Sequence, residues 1–500
     1  MRIQTVFMAV ALTSALATSA CSSCKRQDPA PPQTQPVGSD ETPTPARDPE
    51  APPAYAIGDD LNTQVPMNTR PLQPSDLELP LVQEWTTLRG NAARSGVRDV
   101  PAVANPRILW RTEVGIGGYA NTIVEGGDLI WVSTQGSEHD QSDPQDGVVA
   151  IRKADGQIAW RYRTGKDANG MTLADGTLYV VTDDHMLHAI RADDGSAIWV
   201  RDLGCELYNA PIVEGEYLLI ERGGKVERYF RSNGQPELTP TRCSDGERAG
   251  LSQDGGTVVS ASAVGRTRLF QDTTRVWTEV LPDGASTTLI SWLPPVLLSN
   301  LVVTLVHAWP HPTDEIDHRD RPIFQRRAAL VARWRDSGEI AWLFDINGLD
   351  EEGTNRAMRL YTVGLPLVVG GRAYIASQLR PEIAVVNLLT GEREGSIAVS
   401  DCRVRQFSSM VGTTTHGYIA RHDGVLSQFS YASQALTWSI SLGKASLSGA
   451  TRSHALARQG RCTPEPIDGT ALFATPTIGS DGTVYVLSGE GWVYAIGDRP

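Results

Sequence analysis

The chain has 500 residues, 40% of them hydrophobic and 21% charged, and a formal net charge of −13. That is enough apolar material for one large core or two ordinary ones. The acidic balance and the absence of any Lys/Arg run argue against a nucleic-acid role, because neutralising phosphates takes clustered cations.

In chain order, Arg2 precedes the apolar stretch IQTVFMAVALTSALA, which is too short to span a bilayer and gives way to the small residues TSACSSC. This pattern predicts an export signal over 1–20. The small residues before Cys21 resemble a bacterial lipoprotein box, in which the cysteine becomes the lipidated first residue of the mature chain. Thr18 stands where leucine is usual, and an ordinary cleaved signal is the alternative. A redox or metal role for the CxxC of Cys21 and Cys24 is the weaker reading at a signal junction. Residues 21–84 follow as a Pro-rich tether, typified by DPAPPQTQPVGSDETPTPARDPEAPPAY. Apolar residues there are too sparse to offset the entropy of ordering it, and proline keeps it extended.

From EWTTLRGNAARSGV onward, the folded part over 85–500 is written in short strands. DGQIAWRYRTG around Trp160 returns as DGSAIWVRDLG around Trp199, and further copies surround Trp110, Trp277, Trp342 and Trp438. The intervals between these tryptophans are 50, 39, 78, 65 and 96, of which 78 and 96 are double steps. The two skipped copies keep the turn and place Leu238 and Gly395 at the tryptophan position. Alternation such as Thr177-Leu178-Tyr179-Val180-Val181 marks half-buried strands, and the DG and GG pairs mark tight hairpins.

Four short antiparallel strands per unit of about 40 residues is the signature of a propeller blade. The expected fold is therefore all-β: a single β-propeller of eight four-stranded blades. The last unit ends after three strands, and the strand of Trp110 lacks the three before it, so the N-terminal strand is expected to close the ring. The tryptophans are expected on the outer strands, packed against the neighbouring blade with the indole N–H on a backbone acceptor.

The blade motif, as in GTLYVVTDDHMLHAIRADDGSAIW, resembles the pyrroloquinoline-quinone-type propeller repeat, and WTTLRGNAARSG resembles the segment that often precedes such propellers in exported bacterial proteins. The resemblance covers roughly residues 85–498. It implies either a quinoprotein alcohol or sugar dehydrogenase or a non-enzymatic lipoprotein, such as the propeller subunit of the outer-membrane barrel-assembly machinery. A quinone oxidant needs a stacking floor, a Ca²⁺ held by carboxylate and amide oxygens, and an Asp base. The sequence has no Cys-Cys pair and no CxxCH. Trp292, Trp309 and Trp492 offer a floor, but no motif assigns a calcium set. No catalytic residue, cofactor or resident metal is therefore expected.

The insertion PHPTDEIDHRDRP, Pro310 to Pro322, carries His311, Asp314, Glu315, Asp317 and His318. It reads as a solvated acidic loop and the best candidate for a partner contact, with divalent-metal binding as the alternative. Aligning the copies places Cys205 and Cys243 in successive blade links, with Cys402 in a later link and Cys462 before the final blade. In an exported chain the pairs Cys205–Cys243 and Cys402–Cys462 are expected, against four free thiols. The combined reading is an outer-membrane lipoprotein of the bacterial envelope, monomeric, serving as a non-catalytic scaffold for protein partners. The alternative is a periplasmic quinoprotein dehydrogenase.

Overall fold

The alternating stretches Thr177–Thr182, Met186–Arg191 and Ala197–Asp202 pair antiparallel in the order they are written, with Ala168–Ala174 inside them. The same meander recurs around the ring, in a computed structural model of the protein that describes residues 70–118, 121–138, 141–205, 207–242, 249–262, 266–280, 293–316, 322–346, 364–376, 382–399, 408–421, 424–442 and 474–498. Eight sheets form an eight-bladed propeller: blade 1 at 123–163, blade 2 at 168–202, blade 3 at 212–230, blade 4 at 249–280, blade 5 at 296–345, blade 6 at 367–398, blade 7 at 411–441 and blade 8 at 477–497. Arg107–Glu113 joins blade 8 as its outer strand, pairing Trp110 with Ala495 and Glu113 with Trp492. The chain's own ends thus close the ring, as the split final repeat predicts.

Inner strands are buried on both faces because each blade is sandwiched between two others. Blade 1 buries Val124, Trp131, Val148 and Ala150 against Met171, Leu178, Val180 and Ile190 of blade 2. Outer strands instead alternate in exposure, as in Ala435–Ser441. Within each sheet, the turns joining first to second and third to fourth strands lie on one face of the ring, the lower face. The turns joining second to third strands, and the links between blades, lie on the upper face.

The repeated tryptophan and the repeated glycine are two halves of one joint. Trp160 of blade 1 lies on Gly195 in the last turn of blade 2, where a Cβ would stand 2.6 Å from the indole. Its indole N–H donates to the Ala192 carbonyl at 3.2 Å. Trp110 meets Gly156 and Lys153, Trp199 meets Gly234 and Arg231, and Trp342 meets Gly391 and Leu388 in the same way. Trp277 donates to the Arg335 carbonyl. Trp438 donates to Val103, the residue that occupies the corresponding place where the ring closes. A register shift immediately precedes each of these tryptophans and Gly395, as between Ala197 and Trp199. The bulge re-aims the side chain toward the next blade.

Two joints depart from the pattern. At Gly395 of blade 6 the facing turn of blade 7 carries Gln434 (φ 49°) in place of glycine, with its Oε1 2.6 Å from where a Cβ of Gly395 would be. Leu238 of blade 3, expected on an outer strand, is 79% exposed. Blade 3 has three strands, and its fourth is reduced to a bridge between Tyr229 and Pro236.

The folded part also starts earlier than the sequence reading places it. Residues 70–78, inside the stretch expected to be tether, dock on blade 5, whereas Val82 bridges to Arg98 of the axial segment. A 3-10 turn, Pro74–Leu77, buries Leu77, and Asp76 accepts from the Asn300 side chain at 2.7 Å. Arg70 stacks over Trp334 and pairs with Asp336.

Candidate interaction surfaces and the filled axis

The segment Trp85 to Arg98 has no strand periodicity, and its geometry explains why. Arg89, Gly90, Arg94 and Gly96 all adopt positive φ, which coils the chain tightly enough to fit the axis of the ring. Its backbone and side chains then satisfy the innermost strands of successive blades. The Trp85 carbonyl accepts from Glu125 of blade 1, Thr86 from Leu173 of blade 2, Ala92 from Gln253 of blade 4 and Ala93 from Leu297 of blade 5. Arg89 donates to Pro366 at the start of blade 6, Val97 and Arg98 pair in parallel with Gly412 and Thr413 of blade 7, and Arg98 donates to Ile478 of blade 8. Ala92 packs against the cluster between blades 3 and 4. The lower end of the axis is therefore filled by the chain itself.

At the closure seam one carboxylate gathers three parts of the fold. Glu125 (blade 1) accepts from Arg98 of the axial segment at 2.6 Å, from Lys153 at 2.9 Å, and from the Ser480 N–H and hydroxyl of blade 8 at 3.0 and 2.8 Å. Burial alone would raise this carboxyl, but the Ser480 N–H, Lys153, Arg98 and the Ser480 hydroxyl hold it down at about 2.

On the upper face, Asp146 in the second-to-third turn region of blade 1 accepts from the Asp143 N–H and is almost wholly buried. Burial pushes its carboxyl up to about 6, and the neighbouring charges of Asp143 and Asp167 add to the shift. Between blades 1 and 2, His188 lies 3.0 Å from the Tyr162 hydroxyl, and burial pulls it down to about 4. At the rim of blade 3, Arg201–Gly204, Arg222, Tyr229, Pro236 and Pro240 line a cleft of about 280 Å³ where the outer strand falls short. Cys205 is disulfide-bonded, and its sulfur lies 3.2 Å from Arg222 Nε.

The acidic insertion is not a loop up to Ile316. Strand Leu301–Ile316 of blade 5 runs on through it and pairs with Pro322–Trp334, setting His311 opposite Gln325 and Ile316 opposite Pro322. These strands have 16 and 13 residues, against six in Thr177–Thr182. At about 3.4 Å per residue the hairpin extends the blade by roughly 30 Å from the upper face. His311, Asp314 and Glu315 share the outgoing strand of this arm, whereas Asp317 and His318 lie outside the described residues. Pro310, Pro312 and Pro322 sit along it, where the missing N–H groups blunt its edges.

The six repeat tryptophans occupy the joints described above. Trp309 lies on the arm strand of blade 5, and Trp492 lies on blade 8 under the Arg111 guanidinium. Cys21, Trp292, Cys243, Cys402 and Cys462 lie outside the described residues. Sequence reasoning missed the axial role of WTTLRGNAARSG. The available signal is two arginines, each followed within two residues by glycine, in a stretch that fits neither strand nor helix.

A family model described as outer membrane protein assembly factor BamB matches residues 94–343 and, in a second overlapping placement, 145–439. No curated protein matches the chain in sequence. Among solved structures, BamB from Moraxella catarrhalis superposes with a TM-score of 0.52 at 15% identity, over 79% of this chain and 98% of that one. Quinohemoprotein alcohol dehydrogenase from Comamonas testosteroni superposes with a TM-score of 0.56 at 12% identity, over 83% of this chain and 81% of that one. A europium-containing methanol dehydrogenase gives 0.52 at 12% identity, over 83% and 98%. At these identities the likeness is one of fold, which both functional classes share.

Proposed function

The chain belongs to the family described as outer membrane protein assembly factor BamB, and on that premise we propose that it is an exported, lipid-anchored envelope protein whose propeller is a non-catalytic scaffold for protein contacts. The observation that carries this reading is the blade 5 arm. A two-stranded ribbon extended far past its sheet does nothing for the core of the ring, and such ribbons are marginal until something packs on them. Residues 70–78 run in along the lower face of blade 5, and the arm leaves from the upper face.

A periplasmic quinoprotein dehydrogenase is the alternative, favoured by the fold likeness to alcohol and methanol dehydrogenases. Spectra of the purified protein, with dye-linked oxidation of alcohols and sugars, separate the two. The scaffold reading expects no bound quinone and no turnover; stoichiometric quinone with Ca²⁺-dependent alcohol oxidation contradicts it. For the anchor, Cys21→Ser is expected to release a folded propeller from membranes, and fatty-acid labelling that persists in this variant contradicts lipidation.

A further inference from the structure

Arg89 and Arg94 are both 0% exposed, side by side in the axial segment. Arg89 donates to the carbonyls of Pro366 at 2.8 Å and Ser95 at 3.1 Å. Arg94 donates to the carbonyls of Leu251 and Leu88, both at 3.1 Å, and to the Thr87 hydroxyl at 2.8 Å. Every acceptor is neutral. Arg89 Nε and Arg94 Nη2 are buried donors that no protein atom accepts. Burial lowers both guanidiniums to about 9, the charge of Arg94 lowers Arg89 further, and no carboxylate acts on either. Two other buried arginines have a counter-charge: Arg98 has Glu125, and Arg268 has Glu221. Two desolvated cations without an ion pair are costly, and an orphaned N–H on each adds to the cost.

We propose that the axial segment is an anion site, in which a monovalent halide is bound by Arg89 Nε–H and Arg94 Nη2–H. The chemistry restricts the ligand. An ion in this place sheds its whole hydration shell, which penalises dianions such as sulfate and phosphate and favours a large, weakly hydrated monovalent ion. The bound ion joins the turns at Arg89 and Arg94, and through their carbonyl contacts it ties blade 4 to blade 6 across the axis. Its role is structural: it completes the plug that holds the ring closed.

The test is thermal unfolding of the full chain in chloride, bromide and gluconate at fixed ionic strength, with bromide anomalous scattering from crystals grown in bromide. The expected result is a midpoint higher by roughly 3 °C in the halides than in gluconate, against the general tendency of bromide to weaken folded states, and an anomalous peak between Arg89 and Arg94. Arg94→Met, which removes one cation and its orphaned donor, is expected to abolish the halide increment. Equal midpoints in halide and gluconate, or bromide crystals with no peak at the axis, overturn the proposal. Because the first two measurements use the unaltered protein, they decide the matter even if the variant does not fold.

Discussion

The joint between blades 1 and 2 and the joint between blades 6 and 7 solve the same packing problem with opposite parts. In the first, a large ring on the outer strand (Trp160) drops onto a residue without a side chain (Gly195); in the second, a residue without a side chain (Gly395) receives a long one from the opposite turn (Gln434). Volume at the joint is conserved while its donor changes sides. The joint between blades 3 and 4 has neither arrangement: Leu238 points into solvent, and the outer strand is lost beyond Pro236. What looks in the sequence like random decay of a repeat is therefore coupled loss, because a tryptophan and the glycine that receives it belong to adjacent repeats.

The comparison breaks most sharply at a joint that is fully buried. Trp342, 3% exposed, is expected to cost about 3–5 kcal/mol when changed to Ala, read as a lowered denaturant midpoint. A loss below about 1 kcal/mol would show that the joint is decorative. Beside blade 3, which lacks the indole joint, Cys205 is disulfide-bonded. Arg222 touches Cys205, and a Cβ on the next residue, Gly223, would stand 3.0 Å from the carbonyl of Arg242, the neighbour of Cys243. We propose Cys243 as the partner of Cys205. Cys205→Ser is then expected to cost about 2–4 kcal/mol, and peptide mapping without reduction should recover the two cysteines together. Recovery of Cys205 joined to Cys402 or Cys462 contradicts the pairing.

The swapped joint makes a two-variant test. Gly395→Trp alone is expected to destabilise by about 1–3 kcal/mol, since the new side chain meets Gln434. Adding Gln434→Gly should recover most of that loss, giving a coupling energy of about 1 kcal/mol or more. Additive effects would mean that the two residues do not share a site.

The smallest effect concerns pH at the joint between blades 1 and 2. His188 is held near 4, below its ordinary value of 6.5, so its contribution to stability is present above about 6.5 and is lost as pH falls toward 4. Asp146 is held near 6, above its ordinary 3.8, so its contribution is present below about 4 and is lost as pH rises through 6. The two slopes oppose each other across the same window. Stability from pH 4 to 6.5 is expected to be nearly flat in the unaltered protein and to decline on acidification in Asp146→Asn. An identical profile for the two proteins would remove Asp146 from the balance.

These joints also mark how much was legible in the sequence. The period, the hairpin turns and the split last unit declare the propeller, because alternation and DG turns are local properties. The strand of Trp110 could be assigned to the last blade by counting alone. Blade 3 could not be read to its end, since Leu238 keeps the apolar character of an outer strand while Pro236 and Pro240 withdraw the N–H groups that pairing needs. The arm reads as a loop in the sequence because its charges and prolines hide a strand from any hydrophobic pattern, whereas the pairing from Leu301 to Ile316 is a property of the backbone. The axial segment does not declare itself in the sequence because its bonds run to residues far apart, from Glu125 to Ile478.

On the proposed reading the ring is a scaffold and its arm makes the contact. Crosslinking in intact cells followed by capture tests it most directly, with the unaltered chain compared against one lacking 310–322. The account predicts that the deletion leaves the unfolding midpoint within about 1 °C, because the ribbon lies beyond the packed sheet, and removes the principal crosslinked partner. A shortened chain that stays folded and captures the same partner with undiminished yield would contradict it.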